Sequence, residues 1–227
     1  MKYLRLSVLT LCAALASGTV AGTSGTSHVM TAPGGPNITA GTFALVRYRL
    51  DASQSQFMVR AFAGGPLFFK GHDHFVKVGD FTGEAELTPG AVSPAALHLR
   101  VRADSLEETR DVFTPQQKQI INKELREIVL ETAKYPEITF NSTDVKGQVR
   151  ADGQYEAEIG GDLTLHGVTR HIVIPATVTL SGNDLRARGE FTVNRGDYKV
   201  KATSAVHGLV RVRDKLKFTF DIVAHQI

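Results

Sequence analysis

The chain has 227 residues, of which 42% are hydrophobic and 22% charged, an ordinary globular balance that excludes whole-chain disorder and collagen-like repeats. Lysine and arginine total 26 against 23 for aspartate and glutamate. With Lys2 and Arg5 assigned to a leader, the remainder carries 24 minus 23, or +1, and no basic run interleaved with aromatics, so nucleic acid is not an expected partner.

Lys2 and Arg5 precede an apolar run from Leu6 to Leu15, and small residues follow at Ala16, Ser17 and Gly18, the pattern of a secretory signal peptide. Ala14-Leu15-Ala16 and Thr19-Val20-Ala21 both present small-x-small sites, so cleavage after Ala16 or Ala21 is expected within a leader of residues 1–21. The run is shorter than the roughly 20 apolar residues that a spanning helix needs. Cys12, the single cysteine, lies inside it, and Leu11 before it does not suit a lipoprotein signal. Residues 22–42, rich in Gly, Ser, Thr and Pro, read as a flexible tether, and a single domain is expected over residues 43–227. The implied location is the periplasm or the medium outside the cell.

Period-two alternation dominates that domain. Strands are expected near 43–50, 54–62, 78–87, 97–103, 137–146, 154–166, 170–180, 185–193, 205–213 and 215–224. Leu97, Leu99 and Val101 alternate with His98, Arg100 and Arg102; Leu185, Ala187, Phe191 and Val193 with Arg186, Arg188 and Thr192; Leu216, Phe218, Phe220 and Ile222 with Lys215, Lys217, Thr219 and Asp221. Turn signals at Thr88-Pro89-Gly90, Asp152-Gly153, His166-Gly167, Ser181-Gly182-Asn183 and Arg195-Gly196-Asp197 are spaced for hairpins. The fold class is therefore all-β and antiparallel, a barrel or a sandwich, and a barrel removes exposed edges. Thr114, Pro115 and Gln117 form an N-cap, a first-turn proline and the far half of a capping box. They start the one expected helix, about 115–131, with Ile121, Leu125 and Ile128 as an apolar stripe and Pro136 returning the chain to extended structure.

The expected inward set is Phe57, Val59, Phe140, Leu163, Leu165, Phe191, Phe218 and Phe220, with Leu125 and Ile128 from the helix. Such a set either fills the interior or lines a hollow that suits hydrocarbon. His72 and His74, at i and i+2, share one side of an extended segment with Asp73 opposite. They are candidates for a head-group contact or for a metal, which would need a third ligand from His98, His166, His171 or His207. Arg195 suits an anionic head group or a carboxylate within the barrel. His166 with Gly167 reads as a hairpin turn. Gly-x-Ser-x-Gly, Walker A and His-Glu-x-x-His patterns are absent, so no catalytic residue is nominated.

Lys134-Tyr135-Pro136-Glu137-Ile138-Thr139-Phe140-Asn141-Ser142-Thr143 and Gly161-Asp162-Leu163-Thr164-Leu165-His166-Gly167-Val168-Thr169-Arg170 resemble the two signature segments of the YceI-like, polyisoprenoid-binding periplasmic proteins. Asn194-Arg195-Gly196-Asp197-Tyr198 resembles that family's later turn. Phe68-Phe69-Lys70-Gly71-His72-Asp73-His74-Phe75 resembles a histidine-bearing branch. The chain departs from many members in having no tryptophan, with Tyr48 near its place, and Ala61-Phe62-Ala63 where a histidine ends the second strand. The resemblance implies an extended lipocalin-like antiparallel β-barrel of about eight to ten strands with an open lumen that holds an isoprenoid or other lipid chain. It brings no enzyme activity and no cofactor beyond that ligand. Transient membrane contact and a homodimer are compatible with it. Two alternatives compete, a metal-assisted enzyme using His72 and His74, and an outer-membrane barrel, since alternation does not say which face points outward.

Overall fold

Alternation over long segments with few prolines gives long strands, and hairpin turns between them give antiparallel pairing. The computed structural model describes residues 44–205 and 209–227; the expected leader, Cys12, the tether, Phe43 and His207 lie outside them. The strands are β1 (Val46–Gly64), β2 (His74–Val78), β3 (Phe81–Leu87), β4 (Ala95–Arg102), β5 (Leu106–Glu108), β6 (Glu137–Ala151), β7 (Gln154–Leu165), β8 (Val168–Ser181), β9 (Asp184–Asn194), β10 (Ser204–Ala205) and β11 (Val210–Gln226). Helix α1 (Pro115–Glu124) stands between β5 and β6.

The sheet closes. Its order runs β11-β9-β8-β7-β6-β4-β3-β1, and β1 pairs back onto β11, so eight antiparallel strands form a barrel. The closing seam joins the two longest strands, from Tyr48 opposite Gln226 to Gly64 opposite Arg211. β2 continues the line of β3 along β1, and β5 continues that of β4 along β2. They extend one wall beyond the barrel proper. β10 adds a two-residue pairing on β11, Ser204 with Arg211 and Ala205 with Val210.

The expected strands differ from these in bounds. Residues 43–50 and 54–62 were expected as two strands and form one, because Asp51 absorbs the extra residues as a bulge instead of a turn. Its Oδ1 accepts from the Ser53 N–H at 2.8 Å and the Ser53 hydroxyl at 2.6 Å. The Ser53 hydroxyl is the main cause of an Asp51 carboxyl lowered to about 2. Of the strands expected over 205–213 and 215–224, residues 210–213 run through Asp214 into one strand with the second, while Ala205 belongs to the separate β10. The expected strand over 78–87 is divided at Gly79–Asp80.

Local signals place the turns and the helix start. His166 and Gly167 both take positive φ, 52° and 72°, in the β7–β8 hairpin. A Cβ on Gly167 would lie 2.5 Å from Tyr135 Cε1, so glycine is required there for space as well as for geometry. The His166 ring sits 4.3 Å from that of Tyr135 and its Nε2 lies 2.7 Å from Glu131 Oε2, tying this hairpin to the end of the helical segment. The capping box forms as expected, with the Gln117 N–H donating to Thr114 Oγ1 and Thr114 N–H to Gln117 Oε1.

At the end of the barrel remote from α1, Tyr48, Leu185 and Ala224 are buried among Val46, Leu87, Val178 and Leu180. The segment 88–94 crosses the same end, held by Gly90 N–H donating to the Tyr155 hydroxyl at 2.8 Å. This packing forms a floor. Tyr48 is 2% exposed, so Tyr48→Ala removes a ring from a filled site, and a loss of about 3–5 kcal/mol is expected. Urea unfolding followed by far-UV circular dichroism should show the lower midpoint with an unchanged slope.

Candidate binding site

Above the floor the barrel is hollow. A cavity of about 620 Å³ runs along its axis and is lined almost entirely by carbon. Inward aliphatic and aromatic side chains such as Leu97, Leu99, Ile159, Leu216, Phe218 and Ile222 retain partial exposure inside a closed sheet, because they face the void instead of one another. Of the two interiors that the sequence leaves open, this is the unfilled one. Phe191 stacks on Phe218 at 4.8 Å, and Phe57 lies 6.3 Å from Phe218 and 6.2 Å, edge-on, from Phe81. Phe57, Phe191 and Phe218 form an aromatic wall on β1, β9 and β11, with Phe81 of β3 packed against Phe57.

Nine of the ten expected lumen residues line the cavity: Phe57, Val59, Leu125, Phe140, Leu163, Leu165, Phe191, Phe218 and Phe220. Ile128 does not; it is 48% exposed. The α-helical stripe that placed it ends at Glu124, and Leu125–Val129 form a wider π-turn, with Leu130 N–H donating to Leu125 O at 2.9 Å. That change of period carries Ile128 off the inner face.

The opening lies at the helix end. Every exposed residue of the lining is found there: Lys70, His72, Glu124, Lys201 and Arg211. His72, His74 and Arg195 line the same region. The two histidines sit on one side of their segment, around Phe113: the His74 ring stacks on it at 5.4 Å and the His72 ring meets it edge-on at 5.8 Å. Asp73 points the other way, accepting from Arg60 Nη2 at 2.6 Å and from the Ala63 N–H at 2.9 Å. His74 Nδ1 lies 2.7 Å from Oε2 of Glu108, a side chain with no exposure. Burial works against the Glu108 charge, but the His74 ring and the N–H groups of Arg110 and Phe75 outweigh it and hold the carboxyl below its ordinary value of 4.5. Arg195 donates from Nη1 to the Val200 carbonyl at 2.8 Å, and its Nε is buried without a partner. The carboxylate clamp open to Arg195 in the sequence is not made among the described residues.

Among the described residues the other histidines do not converge on this pair. His98 lies against Asn141, His166 against Glu131 and His171 against Asp162. Among the described residues no group of three or more His, Cys, Asp or Glu side chains is placed to hold a metal ion. The outer face of the barrel carries ion pairs, Arg186 and Arg188 with Asp221 at 2.6 and 3.0 Å and Lys217 with Glu190 at 2.7 Å. A lipid-facing barrel band does not accommodate such charges. Phe113, Glu108, Lys70, Glu124 and Lys201 were not nominated from the sequence, because their common position arises only from closure of the barrel.

Because the folded Glu108 carboxyl ionises below its ordinary value, its contribution to stability is complete above about pH 4.5 and is lost as the pH falls through the folded value. Glu108→Gln should therefore lower the urea midpoint at pH 7 and show a flatter acid limb, meeting the wild type at the lowest pH. Parallel wild-type and variant profiles between pH 3 and 7 would contradict this assignment.

Residues 48–224 match the family model described as the YceI-like domain. A UPF0312 protein of Pseudomonas savastanoi pv. phaseolicola is 38% identical over 120 residues, 49% of this chain and 56% of that protein. Protein YceI of Escherichia coli O157:H7 is 49% identical over 55 residues, 24% of this chain and 26% of that protein. The chain thus spans little more than half the length of the first of these relatives and about a quarter of the second. Among solved structures, BcnA of Burkholderia cenocepacia superposes with a TM-score of 0.58 at 16% identity, over 77% of this chain and 98% of that one. A polyisoprenoid-binding domain from Saccharophagus degradans, implicated in plant cell wall breakdown, gives a TM-score of 0.56 at 16% identity, over 80% of this chain and 99% of that one. These likenesses are of fold.

Proposed function

The chain belongs to the YceI-like domain family, and from that premise we propose that it is a binding protein that takes the apolar chain of an isoprenoid or similar lipid into its barrel. The observation that carries this reading is the hollow itself, about 620 Å³ of carbon-lined space with its exposed lining residues at one end. Burying about ten methylene groups at roughly 0.8 kcal/mol each gives about 8 kcal/mol, enough for micromolar affinity before ordering costs. Such a wall selects by length and girth and makes no demand on tail chemistry. The polar end of the ligand rests at the rim, where His72, His74 and Arg195 offer hydrogen bonds and charge. The name of the S. degradans domain supports the same class of guest. Export of the chain, to the periplasm or beyond the cell, rests on Lys2, Arg5 and the Leu6–Leu15 run alone.

Organic extraction of the natively purified protein followed by mass spectrometry should show a stoichiometric lipid with a long apolar chain. Ala187 faces the cavity from β9, so Ala187→Phe fills lumen volume without adding a polar group. The variant should keep the wild-type circular dichroism and bind a fluorescent polyene fatty acid at least about tenfold more weakly. Phe218→Asp should damage both folding and loading, because it places an unpaired charge in the lumen. A well-folded Ala187→Phe protein with undiminished uptake would overturn the lumen as the binding site.

A further inference from the structure

The rim of the cavity carries apolar surface that the barrel does not use. Phe68 and Phe69 form the short helical turn that follows β1, and they are 51% and 67% exposed. Isolated exposed apolar residues are ordinary, but these two rings pack edge-on at 6.0 Å as one projecting unit. Leu209, 42% exposed, adjoins them, since Leu67 N–H donates to the Leu209 carbonyl at 3.0 Å.

The unit is held in place. Phe68, Lys70 and Gly71 N–H groups donate to Gly65, Leu67 and Phe68 carbonyls at 3.2, 2.9 and 3.0 Å, so the turn satisfies its own backbone. Gly65 has φ +85°, and a Cβ there would lie 2.6 Å from the Leu209 carbonyl oxygen, which fixes the turn tightly against β11. The aromatic pair is therefore presented at little entropic cost on contact with a partner.

The segments beside it are basic, with Asp73 and Asp214 next to them in the chain and Glu124 at the same mouth. Residues 64–72, 199–205 and 209–213 contain five lysines and arginines and no aspartate or glutamate. Lys70 follows the pair directly and lines the cavity mouth, as does Lys201, and the Arg213 guanidinium lies 6.0 Å from the Phe68 ring centre. Among the described residues neither Lys70 nor Lys201 has a carboxylate within ion-pair distance.

We propose that this lip, Phe68 and Phe69 with Leu209, Lys70, Lys201 and Arg213, docks the barrel mouth onto an anionic lipid bilayer. Aromatic rings enter the interfacial zone while ammonium and guanidinium groups meet lipid phosphates, and each cation near such a surface strengthens attachment roughly fivefold. The lip borders the opening through which, on the reading above, an apolar chain passes. Docking there lets the chain move between membrane and lumen without crossing bulk water. The placement of the lip rests on that reading, whereas the attraction to anionic lipid does not.

Wild type and variants, purified in the N-terminal form that the producing cells leave on them, are floated with vesicles of phosphatidylcholine alone or with equimolar phosphatidylglycerol. The wild type is expected to rise with the anionic vesicles more than with the neutral ones, and less so in high salt. Phe68→Ser with Phe69→Ser should weaken the association at least about tenfold, and Lys70→Glu with Lys201→Glu should remove most of its salt dependence. Wild type that ignores the phosphatidylglycerol, or a serine pair that binds as the wild type does, overturns the proposal. Loss of a dimer in the serine pair with unchanged vesicle binding would assign the lip to a second copy of this chain. Uptake of the polyene fatty acid by the same variants keeps the two readings apart: retained uptake without flotation leaves the lumen function standing, and flotation without uptake leaves the lip standing.

Discussion

The pairing of β1 with β11 is the constraint on which the other features rest. Once those two strands meet, each strand of the ring has one face toward water and one toward the axis, and period-two alternation becomes a division between ion pairs outside and hydrocarbon inside. Closure also explains the void. Eight strands of this length enclose more space than their inward side chains fill, although Phe57, Phe81, Phe191, Phe218 and Phe220 gather along one wall. Glycine adjusts the fit where the wall is crowded: a Cβ at Gly189 would stand 2.6 Å from Phe220 Cζ and 2.3 Å from the Pro175 carbonyl oxygen.

The fold was legible because its main signal is local. The inward phases of β4, β9 and β11 follow from alternation alone, and all of Leu97, Leu99, Leu185, Ala187, Leu216 and Phe218 face the cavity. The hairpins at Gly153, Gly167 and Gly182 follow from their turn residues, and the helix start from Thr114, Pro115 and Gln117. Arg195-Gly196-Asp197, expected as a hairpin turn, instead forms a short 3-10 turn, and β9 meets β11 only through a longer connection. What misled was polar sequence inside long strands. Asp51-Ala52-Ser53-Gln54 has the composition of a turn, yet the Asp51 side chain satisfies the neighbouring N–H groups and the strand continues. At Ile128 a single helical period does not hold, because the segment changes from α to π at Leu125.

The rim was much less legible. Lys70, Phe113, Glu124, Arg195 and Lys201 are spread over more than half the length of the chain and meet only because the ends of β1 and β9, the beginning of β11 and helix α1 surround one opening. No spacing rule announces such a group. His72 and His74 were visible as a pair, but the neighbour between them, Phe113, and the buried carboxylate of Glu108 come from elsewhere in the chain. Those partners make the pair a stacked and hydrogen-bonded element of the mouth.

The packing of Tyr48, Leu185 and Ala224 across the far end has a kinetic meaning. With that end packed, the doorway among the described residues is the helix end, so a guest of the proposed kind goes in tail foremost and retreats by the same route. Each added methylene that withdraws into water raises the exit barrier by a similar increment, so residence time should grow geometrically with tail length. Such a vessel keeps a grip on long chains and surrenders short ones, acting as a timer graded by the size of what it holds.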